Sequence, residues 1–270
     1  MRIRIMTDLE GVAGVINTTD WIYKNSKYYD EARELLTREV NAAVEGFFAA
    51  GADEIVVVDG HGEGGVNHLL LDPRVEFHRG WGKGPYPLGV DYGYDVIAFV
   101  GCHPKAGTEY GHICHTQSFD VLDCVINGIS VGEVGQEIFL CQQYGVVPIF
   151  ATGCLAFTKE VEILVKGIET VAVKRGLMEG SGNECNAEAY EKRNWAAIHK
   201  HPEVARQMIR EGAYRALTRY LAQPQSFQPV KISPPYTMTY VMRESGGKPG
   251  GSYTTEHPTD LAAAMNGSPV

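Results

Sequence analysis

Asp8 and Glu10 stand one residue apart, directly after the first apolar run of the chain. Asp59 and His61 close a second run, EIVVVDGH, and His103 closes a third, DVIAFVGCH. Carboxylates and imidazoles are the side chains that hold divalent ions, and a mixed oxygen and nitrogen set suits zinc. Taken singly, D-x-E and D-G-H are weak signals. Asp8 alone also suits a helix N-cap, Glu10 a loop charge, and either histidine a hydrogen-bonded core position. Their shared placement carries more. In a parallel sheet the carboxyl ends of the strands line one edge, where ligand sites collect, so residues far apart in sequence can meet in one cleft. Asp59 reads better as a turn or supporting residue than as a ligand.

Other candidates are weaker on the residues alone. His112 and His115 lie three apart in HICHT, a loop-like segment that gives no paired site. His68, His78, His199, His201 and His257 sit in polar contexts and read as surface residues. Glu133 opens a helix after Val131-Gly132, where a carboxylate favours the helix dipole. The chain has no G-x-S-x-G elbow and no H-E-x-x-H. Gly62 to Gly65 lacks a P-loop lysine, and none of the six cysteines sits in a catalytic motif.

These residues need a scaffold. Residues 2–7 read as a strand, followed by a Gly-rich turn. Apolar positions at helical spacing predict a helix over 28–50, with Gly51 at its C-cap. The near-continuous apolar runs at 54–59, 95–101, 146–152 and 170–174 have the character of buried parallel strands. Helical patterns occupy 131–144 and 158–166. The alternation predicts an α/β fold with a mostly parallel sheet flanked by helices. Asn127-Gly128 between two alternating runs predicts a hairpin within 119–131. After residue 176 the composition shifts. A helix over 202–222, a strand over 236–242 and a short helix within 259–265 predict a smaller C-terminal α+β part. The division is 1–176 for the metal-binding domain and 177–270 for a domain that shapes the pocket and oligomer contacts.

Composition bounds the partners. The chain has 270 residues, 44% hydrophobic, with a net charge of -9. That acidic balance argues against nucleic acid, whose phosphates need clustered cations. No run is apolar enough for a membrane helix, and the N-terminus does not read as a signal peptide. Six scattered cysteines without a C-x-x-C pair read as reduced thiols, placing the protein in the cytoplasm.

Five segments, MTDLEGVAG at 6–14, VVVDGHGEG at 56–64, FVGCHPKAG at 99–107, HICHT at 112–116 and INGISVGEVG at 126–135, resemble the DppA-type zinc D-aminopeptidases in order and approximate spacing. The resemblance covers roughly residues 1–175. It implies a two-zinc site held by Asp8, Glu10, His61, His103 and Glu133, with Asp8 the bridge and His115 the catalytic histidine. It thereby replaces the helix-dipole reading of Glu133 and chooses His115 over His112. It further implies a homo-oligomer of two stacked five-membered rings, a decamer, that removes N-terminal D-residues such as D-Ala from short peptides. Two departures bear on which peptide is cut. Gly153-Cys154-Leu155 stands where the family carries an acidic turn, and the part after about 225 matches poorly. The alternatives are a binuclear metallohydrolase of another amide or ester, and an inactive metal-binding member of the family.

Overall fold

The apolar runs become the centre of a seven-stranded sheet. The computed structural model describes residues 1–80 and 89–267; the last three residues of the 177–270 part lie outside them. The central strands are β1 (Arg2–Thr7), β2 (Glu54–Asp59), β4 (Val96–Cys102), β7 (Val147–Cys154) and β9 (Glu169–Gly176), with β3 (Glu76–His78) and β10 (Ala197–His199) at the two edges. Their order is β10-β9-β7-β4-β1-β2-β3. Every neighbouring pair is parallel except β9 with β10. The fold is α/β, as the alternating pattern predicts.

Helices cover both faces. On one, α2 (Tyr29–Ala49) and α6 (Pro202–Ala222) pack Leu36, Val40, Phe47, Ile209 and Ala213 over Ile3, Ile5 and Phe150. On the other, α3 (Glu133–Tyr144) and α4 (Leu155–Leu164) pack Ile138 and Phe157 over Ile97 and Phe99. Burial on both faces explains why these strands are continuously apolar rather than alternating.

A four-stranded antiparallel sheet, β13-β12-β5-β6, joins β5 (Val121–Ile126) and β6 (Ile129–Ser130) to β12 (Tyr236–Met242) and β13 (Ser252–His257). Its first turn holds Asn127 at φ 46° and Gly128 at φ 82°, the positive pair a two-residue hairpin demands. A two-stranded piece pairs β8 (Val165–Lys166) with β11 (Gln228–Pro229). The short helices are α1 (Thr18–Trp21), α5 (Ala187–Arg193) and α7 (Leu261–Met265). Residues after 177 enter both larger sheets: β10 bonds to β9 and β12 to β5, while α6 lies on α2. The predicted helix over 158–166 begins earlier, at Leu155, and yields its last two positions to β8. Among the described residues no helix is long and apolar enough to cross a membrane.

One polar pair crosses the second core. Arg4 Nε, on β1, donates to Glu137 Oε1 on α3 at 3.0 Å, with both side chains buried. Glu137→Leu would remove the buried carboxylate that accepts from Arg4 Nε. We expect a loss of about 3–5 kcal/mol, read as a lower urea midpoint at unchanged slope. A loss under about 1 kcal/mol would contradict this account of the pair.

Candidate metal centre

Thr7 at the end of β1 pairs with Asp59 on β2 and with Val100 on β4. The chain therefore leaves three adjacent strands at one level, and Asp8, His61 and His103 follow at that edge. The turn after β1 runs close against β4. Asp8 N donates to Val100 O at 2.9 Å and Gly11 N to Gly101 O at 2.7 Å. A Cβ on Gly11 would stand 2.0 Å from Cys102 O. Gly101 holds φ +77°, and its Cβ would meet Asp8 O at 2.2 Å. Neither position admits a side chain.

The donor atoms converge. His61 Nδ1 lies 3.3 Å from Asp8 Oδ1 and 3.5 Å from Glu10 Oε2. His103 Nε2 lies 3.2 Å from Asp8 Oδ2 and 3.6 Å from Glu133 Oε1. Asp8 thus presents one oxygen to each histidine. Ligand atoms of Asp8, Glu10 and His103 all fall within 4.8 Å of one another, as do those of His103, His115 and Glu133. Glu133 is the first residue of α3, and its Oε1 also accepts from Gln117 N at 2.7 Å.

The far nitrogen of each ring is held by the main chain. His61 Nε2 donates to Ile22 O at 2.9 Å, His103 Nδ1 to Pro104 O at 3.0 Å and His115 Nδ1 to Ile113 O at 3.0 Å. Those bonds fix the tautomers, so that three imidazole lone pairs face three carboxylates. Burial works against charge on His61 and His103, yet Glu10 and Asp8 pull His61 well above its ordinary range, and Asp8 and Glu133 raise His103 to about 10. Burial likewise works against ionised Asp8, but hydrogen bonds from His103 and His61 hold its carboxyl below the usual value. His115 is lowered, by burial and then by the charge of His103. This donor set fits divalent cations.

His115 differs from His103 in position. Its ring stacks on His103 at 4.0 Å between centroids and meets Phe119 at 4.6 Å. It lines a cleft of about 270 Å³ together with Asp8, Glu10, His61, Glu133 and Phe119, whereas His103 lies behind it. The loop that presents it is strained. Tyr110, Ile113 and Gln117 hold φ of 55°, 50° and 62°, costing about 1–3 kcal/mol each. Buried contacts hold the loop there: Cys114 Sγ meets Tyr190 Oη and Asn194 Nδ2, both at 3.2 Å.

The remaining candidates separate cleanly. His112 turns away, donating from Nε2 to Ile16 O at 3.0 Å, and burial lowers it to about 2. Asp59 accepts from Gly65 N and Val66 N at 2.9 and 3.2 Å and so builds the turn that carries His61. His199 is not a plain surface residue: its ring meets His112 edge-on at 5.3 Å. Gln117 and Phe119 had no sequence signal, being single residues of an irregular loop. All six cysteines are free, five of them buried. A larger groove of about 520 Å³ lies under α4, lined by Leu155, Ile163 and Leu177. Among the described residues, the groups that could hold a metal ion lie at the smaller cleft and not on this groove. Leu155 is 37% exposed on that groove.

A D-aminopeptidase from Bacillus subtilis (strain 168) is 28% identical over 180 residues, covering 65% of this chain and 64% of that protein. The match thus spans slightly less than two thirds of that relative's length. The solved structure of the Zn-dependent D-aminopeptidase DppA from Bacillus subtilis, described as a self-compartmentalizing protease, superposes with a TM-score of 0.80. That likeness covers 98% of this chain and 94% of that one at 20% identity, and it shows a shared fold. The model of the D-aminopeptidase family Peptidase_M55 matches residues 1–247. The chain belongs to that family.

Proposed function

We propose that this chain is a zinc-dependent aminopeptidase that removes the N-terminal residue of short peptides, D-residues such as D-Ala among them. The observation that carries the reading is the convergence of Asp8, Glu10, His61, His103 and Glu133 on one cleft, with the imidazole lone pairs turned inward. His61, Glu10 and one Asp8 oxygen would hold one ion; His103, Glu133 and the other Asp8 oxygen would hold the second. Such ions, when bound, would lower the pKa of a coordinated water and polarise a scissile carbonyl.

The chain's own groups do the rest. Ile113 O holds the proton on Nδ1 of His115, leaving Nε2 free to take one. Burial, and then the charge of His103, lower the basicity of His115. Nε2 receives a proton from the attacking water and returns it to the departing amine, so the ring ends as it began. Phe119 packs on the ring and limits its rotation. The cleft, at about 270 Å³, falls at the small end of ligand pockets, which suits dipeptides better than folded protein.

Residues 1–176 carry all six functional groups, and we assign 177–270 to shaping the pocket and the contacts between subunits. The self-compartmentalizing description of DppA supports a closed homo-oligomer, for which the ring-stacked decamer is our reading. The free cysteines suit a reducing compartment, the cytoplasm.

The test pairs metal removal with a stereochemical panel. The zinc-loaded protein should hydrolyse D-Ala p-nitroanilide faster than L-Ala p-nitroanilide. Chelation should cut turnover by at least about 100-fold, in keeping with the several kcal/mol that bound metal contributes. Undiminished turnover in fully metal-free protein would sink the reading. A metal-dependent preference for other amides or for esters would favour the alternative hydrolase.

A further inference from the structure

Lys174, on β9, is 3% exposed and lies beneath the turn that follows β1. Its ammonium donates to the carbonyl oxygens of Glu10, Val12 and Val15, the last two at 2.9 and 3.2 Å. An ammonium has three protons, so this one turn saturates it. Burying a lysine is costly; among the described residues no ion pair is formed by Lys174, although the charges of Glu39 and Glu10 favour its protonated form. The compensation comes from main-chain oxygens of the segment that bears two of the ligands.

Neighbouring side chains hold the other backbone groups of that turn. Glu39 Oε1, from α2, accepts from Ala13 N at 2.9 Å. His199 Nδ1, from β10, accepts from Gly14 N at 3.1 Å. His112 Nε2 donates to Ile16 O at 3.0 Å. A buried, irregular turn has main-chain donors and acceptors that no strand or helix satisfies. Here side chains from three elements and a loop satisfy them one by one. None of the four lines the cleft.

We propose that Lys174 is a positioning residue: by tying down the carbonyls of Glu10, Val12 and Val15, it holds the Asp8 and Glu10 carboxylates at the cleft before any ion arrives. The inference rests on the metal-site reading above. It assigns a role to a charged residue that touches neither ion nor peptide.

Lys174→Met keeps the aliphatic stem and removes the three donors. Titration with Co²⁺, followed by visible absorption, reads affinity and ligand geometry together. The variant should bind Co²⁺ about 10- to 100-fold more weakly than the wild type, the usual penalty for losing a group behind a metal ligand. Its absorption band should shift while its circular dichroism stays that of the wild type. A folded Lys174→Met with wild-type Co²⁺ affinity and band overturns the inference and leaves the metal reading standing. A wild-type protein that binds no Co²⁺ overturns both. Hydrogen exchange on the metal-free wild type gives a second test that does not depend on the variant folding. The amides of Gly11, Ala13 and Gly14 should be protected before any ion is added. Exchange at unprotected rates until metal binds would overturn the inference.

Discussion

Asp8→Ala is expected to yield a folded protein that retains neither ion and hydrolyses no peptide. Asp8 is the residue whose two oxygens face different histidines, Oδ1 towards His61 and Oδ2 towards His103, at 3.3 and 3.2 Å. Removing it breaks the link between the two halves of the donor set, whereas losing Glu10 or Glu133 disturbs one half. Folding should survive the change. The turn is held by its backbone, through Asp8 N to Val100 O and Gly11 N to Gly101 O, and neither bond needs the carboxylate. The expected fall in kcat/KM is at least about 1,000-fold, equivalent to about 4 kcal/mol of transition-state stabilisation. Elemental analysis after gel filtration, beside kcat/KM, makes the check. Two equivalents of metal in the variant would refute the bridging role.

His115→Ala should do the opposite with the metal and much the same with turnover. Its Nε2 lies 3.8 Å from Glu133 Oε1, and its ring packs on His103 and Phe119. Neither contact sets the orientation of a ligand: Pro104 O fixes His103 and Gln117 N holds Glu133. The variant should keep both ions and a near wild-type KM, while kcat falls by about 100- to 10,000-fold, the range for losing a general acid–base group. An unchanged kcat would remove His115 from the chemistry. A lost ion with kcat restored by excess zinc would make it a ligand instead.

Much of this was legible in the residues. The runs at 54–59, 95–101 and 146–152 are apolar without alternation because both their faces are covered, and burial on that scale leaves a mark in any sequence. Their ends then locate Asp8, His61 and His103. Asn127-Gly128 is equally plain, since few dipeptides accept two positive φ angles. What stayed hidden depends on tertiary contact. The edge strands at Glu76–His78 and Ala197–His199 are three residues long, too short for a period. Glu133 is masked by its place at a helix start, where a carboxylate is ordinary. The choice between His112 and His115 cannot be made on residue type or spacing. In the fold the left-handed Ile113 lies between them; the ring of His115 lines the cleft, and that of His112 bonds Ile16 O behind the Gly-rich turn. His199 bonds a turn 185 positions earlier, and no local pattern announces that.

The placement of β1 between β2 and β4 also sets an order of events in time. Thr7 reaches its register only when Asp59 on one side and Val100 on the other have been brought to it, and Glu133 comes later still along the chain. Closing such wide loops is the slow part of building a parallel sheet. A nascent chain of a hundred residues owns Asp8, Glu10 and His61 but has not yet made the pocket in which they act together. The donors at the cleft therefore come together only once the strands around β1 have met.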